Sequence, residues 1–176
     1  MLFREDLIVP FIKRFGFAAA AFTLVFTLAL AAPAGAALIV HKDLSYSIAK
    51  TIAEEAIAAC AARTYATSAV VVDRDGETMV AMHYDNAGPH TMENARRKAY
   101  TALSFKQTTA DYAKKLLDPN SVAHQQVTLP NVIAIPGGVP IKVSDEVIGA
   151  VGVSGSPGVD EECVNAALDK VKDQLQ

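Results

Sequence analysis

The sequence predicts an α+β domain built on a five-stranded antiparallel sheet. Segments with the alternation of half-buried strands occur in pairs joined by short polar turns, which favours antiparallel hairpins. Segments with apolar residues at every fourth position, typical of amphipathic helices, precede the first pair and follow the last. Further helices are expected between the second and third strands. This order places the first and last helices together on one face of the sheet.

The first half of the domain is predicted to contain a helix, a hairpin and a second helix. The first helix covers residues 43–63, and the two strands cover 68–73 and 78–83. Asp75-Gly76 accepts the left-handed backbone that a tight turn between these strands needs. Thr91 is expected to cap the next helix. Its buried stripe is made of mostly small side chains, namely Ala95, Ala99, Ala102 and Leu103.

The second half is predicted to contain three strands and a closing helix. Residues 131–135 are predicted as the third strand, and residues 136–155 as a hairpin that supplies the fourth and fifth. The last of these strands carries Gly149 and Gly152, where another backbone can approach closely, so we expect it at the centre of the sheet. The closing helix is marked by Val164, Leu168, Val171 and Leu175.

Residues 1–36 have the pattern of a secretory signal peptide. Positive side chains are followed by an apolar run over 17–32 and then by Pro33-Ala34-Gly35-Ala36. We expect cleavage after Ala36, which leaves 37–176 as one domain in the periplasm or secreted, with no stable membrane insertion. The alternative interpretation is an uncleaved membrane anchor, for which the apolar run is short.

Cys60 and Cys163 are the two cysteines of the chain, and each lies in a predicted helix. An exported protein permits a disulfide between them, which would join the first and last helices. Spacing along the chain does not show whether their Cβ atoms are close, so two buried thiols remain the alternative.

Composition and motifs argue against several classes of function. The formal net charge is −3 and the pI is about 5.8, which does not suit a nucleic-acid-binding protein. Gly137-Gly138 is not followed by the Lys and Ser or Thr of a phosphate-binding loop. The serine-hydrolase arrangement requires a histidine after the nucleophilic serine, and no histidine follows Ser154. These absences favour a protein without catalytic activity.

His83 and His90 are the candidate metal ligands. His83 ends a predicted strand and His90 precedes a predicted helix, with Asp85 between them, so the two imidazoles could converge on a metal or a haem iron. Two surface histidines are the alternative, because their spacing matches no standard zinc pattern. His124 is a further candidate, and His41 is expected to be solvated.

Arg96-Arg97-Lys98 forms a basic run within a predicted helix. Consecutive helical residues point in different directions, so the run is not one patch. Its side chains are either solvated charges, or one of them meets an anionic ligand group such as a propionate.

Several segments together resemble the GlcG/HbpS-like family of haem-binding or haem-degrading domains. They are the strand and turn at 70–76, the helix at 95–102, the segments 137–141 and 147–155, and the residues 160–163. The resemblance implies a profilin-like fold, assembly into homo-oligomers, and haem or a related small molecule as ligand in some members. Lys98 and Thr101 match the family's helix. His83 stands where members usually have an arginine.

The resemblance and the residues together favour an exported protein that binds haem or another planar cofactor non-covalently. Its ligand would lie between the sheet and the loop 84–89, near His83, His90, Arg97, Lys98 and Thr101. Two alternatives remain. One is an oligomeric interaction module, or an accessory to a periplasmic oxidoreductase, that binds no ligand. The other is a haem-degrading enzyme.

Overall fold

The core of the structure is a sheet of four antiparallel strands in the order β2-β1-β4-β3. This computed structural model describes residues 38–176, so the predicted signal peptide lies outside the described residues. The strands are β1 (Ser68–Asp73), β2 (Thr78–His83), β3 (Gly138–Val143) and β4 (Glu146–Ser154). As predicted, β4 lies inside the sheet, paired with both β1 and β3.

Five α-helices accompany the sheet within residues 38–176. They are α1 (Tyr46–Ala61), α2 (Thr91–Phe105), α3 (Thr109–Lys114), α4 (Ala123–Gln126) and α5 (Asp160–Val171), with short 3-10 segments at Lys115–Leu117 and Lys172–Gln174. Residues 39–176 form one compact unit. No helix in this part of the chain has the length and apolar character needed to cross a membrane.

The sheet has four strands rather than the predicted five, because residues 131–135 are not a strand. The backbone of this segment pairs with side chains of α2 instead of with a neighbouring strand. Thr101 Oγ1 accepts a hydrogen bond from the Ile133 amide at 2.9 Å, and the Arg97 guanidinium donates to the Val132 carbonyl at 2.6 Å. An apolar segment whose polar backbone groups are satisfied in this way does not need a place in the sheet.

The two faces of the sheet are covered differently. The terminal helices α1 and α5 pack together on one face, as predicted, over side chains such as Val71 and Val153. On the other face α2 lies directly against β1 and β4. A Cβ atom at Gly152 would lie 2.1 Å from the Ala95 carbonyl oxygen, so the close approach of α2 requires glycine there.

A disulfide joins the two terminal helices. The sulfur atoms of Cys60 and Cys163 are 2.08 Å apart, and their Cα atoms are 5.4 Å apart. Both half-cystines are buried in the core between α1, α5 and the sheet. The sequence left a disulfide and two buried thiols as alternatives, and the structure has the disulfide.

Candidate functional site

The polar side chains that could bind a ligand or take part in a reaction lie at one end of the sheet. The antiparallel register places Ser68 at the start of β1 beside His83 at the end of β2 and beside Ser154 at the end of β4. Two concave surfaces open here. The first, which we call the His83 groove, has a volume of about 780 Å³ and is lined by Glu54, Ile57, Ala58, Ala61, Met82, His83 and Tyr84.

The second surface, which we call the Lys98 cavity, has a volume of about 570 Å³. It lies between the loops that follow α1, β2 and β4 and the first turns of α2. Most of its polar lining comes from Asn86, His90, Asn94, Lys98, Ser154 and Asp160. The two surfaces therefore offer different chemistry, since apolar side chains dominate the groove and hydrogen-bonding side chains dominate the cavity.

A chain of hydrogen bonds holds the His83 imidazole. Its Nδ1 atom lies 2.7 Å from Ser68 Oγ, and Ser68 Oγ lies 2.7 Å from Thr91 Oγ1. Thr91 Oγ1 in turn donates to the carbonyl oxygen of Gly88 at 2.6 Å. Thr91 is the first residue of α2, whose N-cap is His90, so the prediction that Thr91 caps the helix is wrong. Its hydroxyl instead belongs to this chain of bonds.

The direction of these bonds determines the tautomer of His83. A carbonyl oxygen can only accept, so the single hydroxyl proton of Thr91 is committed to Gly88. The Ser68 proton must then be donated to Thr91, and Ser68 Oγ can only accept from His83. Nδ1 of His83 therefore carries a proton, and in the neutral ring Nε2 carries the lone pair. His83 is an exposed residue, and its Nε2 makes no hydrogen bond to any atom of residues 38–176.

His90 lies on a different surface from His83. It precedes α2 and lines the Lys98 cavity, where a Cβ atom at Gly88 would come within 2.9 Å of its Cε1 atom. The structure thus does not bring the two predicted ligands into one cavity. Within residues 38–176 there is also no group of three or more His, Cys, Asp or Glu side chains that could hold a metal ion.

Lys98 is buried and forms an ion pair that crosses the domain. Its side chain is 1% exposed, and Nζ donates to Asp160 Oδ2 at 2.7 Å and to the Val153 carbonyl at 2.8 Å. Burial lowers the pKa of Lys98, while Asp160 opposes this effect by stabilising the charged form. The pair connects the middle of α2 with the first residue of α5.

Arg97 and Thr101 line neither surface. Both hold the segment 131–133 against α2, and the Thr101 hydroxyl also donates to the Arg97 carbonyl at 2.8 Å. Their role in the structure is therefore to position a loop. His124 lies on the short α4 helix, where its Nε2 contacts the Asp118 carbonyl at 3.1 Å.

Three residues of these sites, Ser68, Thr91 and Asp160, are not recognisable as site residues from the sequence pattern. Ser68 begins a strand and Asp160 begins a helix. Residues of these types often occur at such positions for structural reasons alone. Asp160 lay within a segment that carried the family resemblance. Ser68 could have been found by pairing the two strands of the first hairpin, which places it opposite His83.

The fold and its two surfaces define a small α+β domain with one four-stranded antiparallel sheet and helices on both faces. Its two cavities lie where β1 begins and where β2 and β4 end. A family model described as "Haem degrading protein HbpS-like" matches residues 44–169. The chain belongs to this family, which confirms the resemblance found in the sequence.

Similar proteins and solved structures are consistent with this family assignment. Protein GlcG of Escherichia coli K12 is 31% identical over 90 residues, which are 51% of this chain and 65% of that protein. The match spans just under two thirds of the length of the curated relatives. A double mutant of HbpS from Streptomyces reticuli is 30% identical, with a TM-score of 0.72 over 80% of this chain and 94% of that one. A PduOC:haem complex, 21% identical, shares the fold with a TM-score of 0.68 over 73% and 94%.

Proposed function

We propose that this protein binds haem non-covalently and that His83 ligates the iron through Nε2. The observation that carries the proposal is the hydrogen-bond chain from Gly88 through Thr91 and Ser68 to His83. Histidines that ligate metals usually donate their other ring N–H to a protein acceptor, which fixes the tautomer and orients the ring. His83 has this arrangement already in the protein alone.

The surroundings of His83 suit a porphyrin. The His83 groove offers an apolar wall from α1, made of Ile57, Ala58 and Ala61, and Met82 extends it on β2. Apolar side chains of this kind are the usual lining of cofactor sites, so the groove could hold the apolar face of a macrocycle. Haem iron accepts imidazole as a ligand, so His83 would hold the group, which would supply iron chemistry at this edge of the sheet.

The relatives support haem as the ligand. The family model is described by haem degradation, and the PduOC structure with this fold is a complex with haem. By the family resemblance, His83 stands where an arginine is usual, and an arginine does not ligate iron. We therefore expect this chain to hold haem in a way that depends on its own histidine.

A haem titration tests the proposal. Ferric haem is added to the mature protein, residues 37–176, and absorbance is recorded in the Soret region. We expect a saturable shift at one haem per chain, and we expect His83→Ala to lose it because the iron ligand is removed. His124→Ala is the matched control and should titrate like the unchanged protein. A shift that is absent from the unchanged protein, or retained in full by His83→Ala, would contradict the proposal.

Haem degradation is a second candidate, because the family description names it. The same complex would be incubated with ascorbate as reductant under air. Progressive loss of the Soret band, with release of iron to a chelator and no loss in a haem-only control, would support an enzyme. A band that stays constant over hours would support binding alone.

The proposal includes export and self-association. The disulfide between α1 and α5 is of the kind that persists in oxidising compartments, which supports a periplasmic or secreted location.

β2 and β3 each have one edge without a partner strand among the described residues, and such edges can pair with a second copy. Mass spectrometry of the N-terminus after expression, and light scattering of the purified protein, test these two points.

A further inference from the structure

We propose that the Lys98 cavity is a second ligand site, which binds the carboxylate of a small organic acid. The proposal does not depend on haem, because no residue of its argument lies in the His83 groove. The Lys98–Asp160 ion pair is part of the lining of this cavity. A buried ammonium with one uncommitted proton is a donor that a carboxylate oxygen can satisfy.

Both carboxylate oxygens of Asp160 already accept hydrogen bonds from protein donors. Asp160 Oδ2 accepts from Lys98 at 2.7 Å. Asp160 Oδ1 accepts from the Ser156 amide at 2.8 Å and from the Ser156 hydroxyl at 2.7 Å. Lys98 uses two of its three protons, on Asp160 and on the Val153 carbonyl. Its third proton has no acceptor among residues 38–176.

Further donors line the same cavity without a protein partner. Ser154 is 5% exposed, and its hydroxyl makes no hydrogen bond within the described part of the chain. The side chains of Asn86, His90 and Asn94 likewise make none there, although all three line the cavity. Ser154 and Lys98 are the buried members of this set, while Asn86 and His90 are exposed and Asn94 is half-buried. Buried polar groups normally have partners, so the Ser154 hydroxyl and the third Lys98 proton indicate a ligand that accepts hydrogen bonds.

The backbone around the cavity supports a functional role. Thr64 and Asn86 have positive φ angles of 67° and 64°, and Gly155 and Gly158 have angles of 129° and 80°. All four line the Lys98 cavity. Non-glycine residues in this left-handed region are uncommon, and such conformations gather at binding and catalytic sites.

Size and charge restrict the class of ligand. A volume of about 570 Å³ suits a molecule of a few carbon atoms with water, and lies within the range of small-molecule sites. The Lys98 ammonium can only donate, and both Asp160 oxygens already accept hydrogen bonds, so an anion fits better than a cation. Since hydroxyl and amide groups line the same cavity, a carboxylate that also carries a hydroxyl or oxo group would use more of them.

The test is a titration of the haem-free mature protein with sodium lactate at constant ionic strength, followed by amide chemical shifts. We expect saturable shifts at Asn86, His90 and Asn94, and none with lactamide, the neutral isostere. Asn94→Leu should weaken binding by about tenfold, because one hydrogen bond to a charged group is lost. Asn120→Leu, an exposed site outside the cavity, is the matched control.

Three results would overturn the proposal: shifts that do not saturate, equal shifts with lactamide, or full affinity in Asn94→Leu. His83→Ala should bind lactate as the unchanged protein does. Lactate binding without haem binding would therefore contradict only the proposed function. Haem binding without lactate binding would contradict only the proposal made here.

Discussion

At the residue scale, the Lys98–Asp160 pair places two opposite charges in the interior of the domain. The Asp160 side chain is 7% exposed, so Lys98→Met leaves a buried carboxylate without a counter-charge. We expect a loss of about 3–5 kcal/mol in the free energy of unfolding. Urea denaturation of the oxidised protein measures it.

The double variant Lys98→Met/Asp160→Asn is the control for this prediction. The asparagine removes the charge, while its amide oxygen can still accept the bonds from the Ser156 amide and hydroxyl. We therefore expect the double variant to be more stable than Lys98→Met alone. If the double variant is the less stable of the two, an unpaired buried charge is not the cause of the loss.

At the element scale, the contact between α2 and β4 depends on the absence of a side chain at Gly152. Gly152→Ala would place a Cβ atom 2.1 Å from a helix carbonyl oxygen, so α2 must move away from the sheet. We expect a loss of about 3 kcal/mol or more in the free energy of unfolding, as for overpacked cores.

Gly158→Ala provides a matched comparison for this contact. A Cβ atom at Gly158 meets no atom within 4 Å, and its φ of 80° makes only the backbone unfavourable. Its cost should be about 1 kcal/mol. Equal losses in the two variants, measured by urea unfolding, would show that the contact between α2 and β4 does not set the stability.

The elements that the sequence predicted correctly are those determined by local chemistry. The turn at Asp75-Gly76 and the polar turn before β4 each join two strands of the sheet, as expected from their residues. Residues 131–135 were predicted wrongly because Thr101 and Arg97, which satisfy their backbone, lie on a helix about thirty positions earlier. Periodicity carries no information about such long-range side-chain partners.

The site was predictable only in part for the same reason. Lys98 and His83 were identified as candidates from their residue types and from the family resemblance. The partner of Lys98 is 62 residues away in the sequence, and the orientation of His83 depends on a hydroxyl chain formed by two strands and a helix. Both features arise from tertiary packing, which the sequence pattern does not encode directly.

At the scale of the whole molecule, the disulfide closes most of the domain into one loop. Cys60 and Cys163 are separated by 103 residues, and the bond restricts the unfolded chain accordingly. We expect reduction to lower the free energy of unfolding by about 4–5 kcal/mol. Urea denaturation with and without dithiothreitol measures the difference, and Cys60→Ala/Cys163→Ala should be insensitive to the reductant. Equal stability of the oxidised and reduced proteins would contradict this account.

The proposed ligation of haem iron by His83 is tested most directly by chemical rescue of His83→Gly. Free imidazole can occupy the space of the missing side chain in this variant. We expect this variant to lack the Soret spectrum of the unchanged complex and to regain it when imidazole is added, while His90→Gly keeps that spectrum throughout. A His83→Gly spectrum identical to that of the unchanged complex without imidazole would contradict the claim.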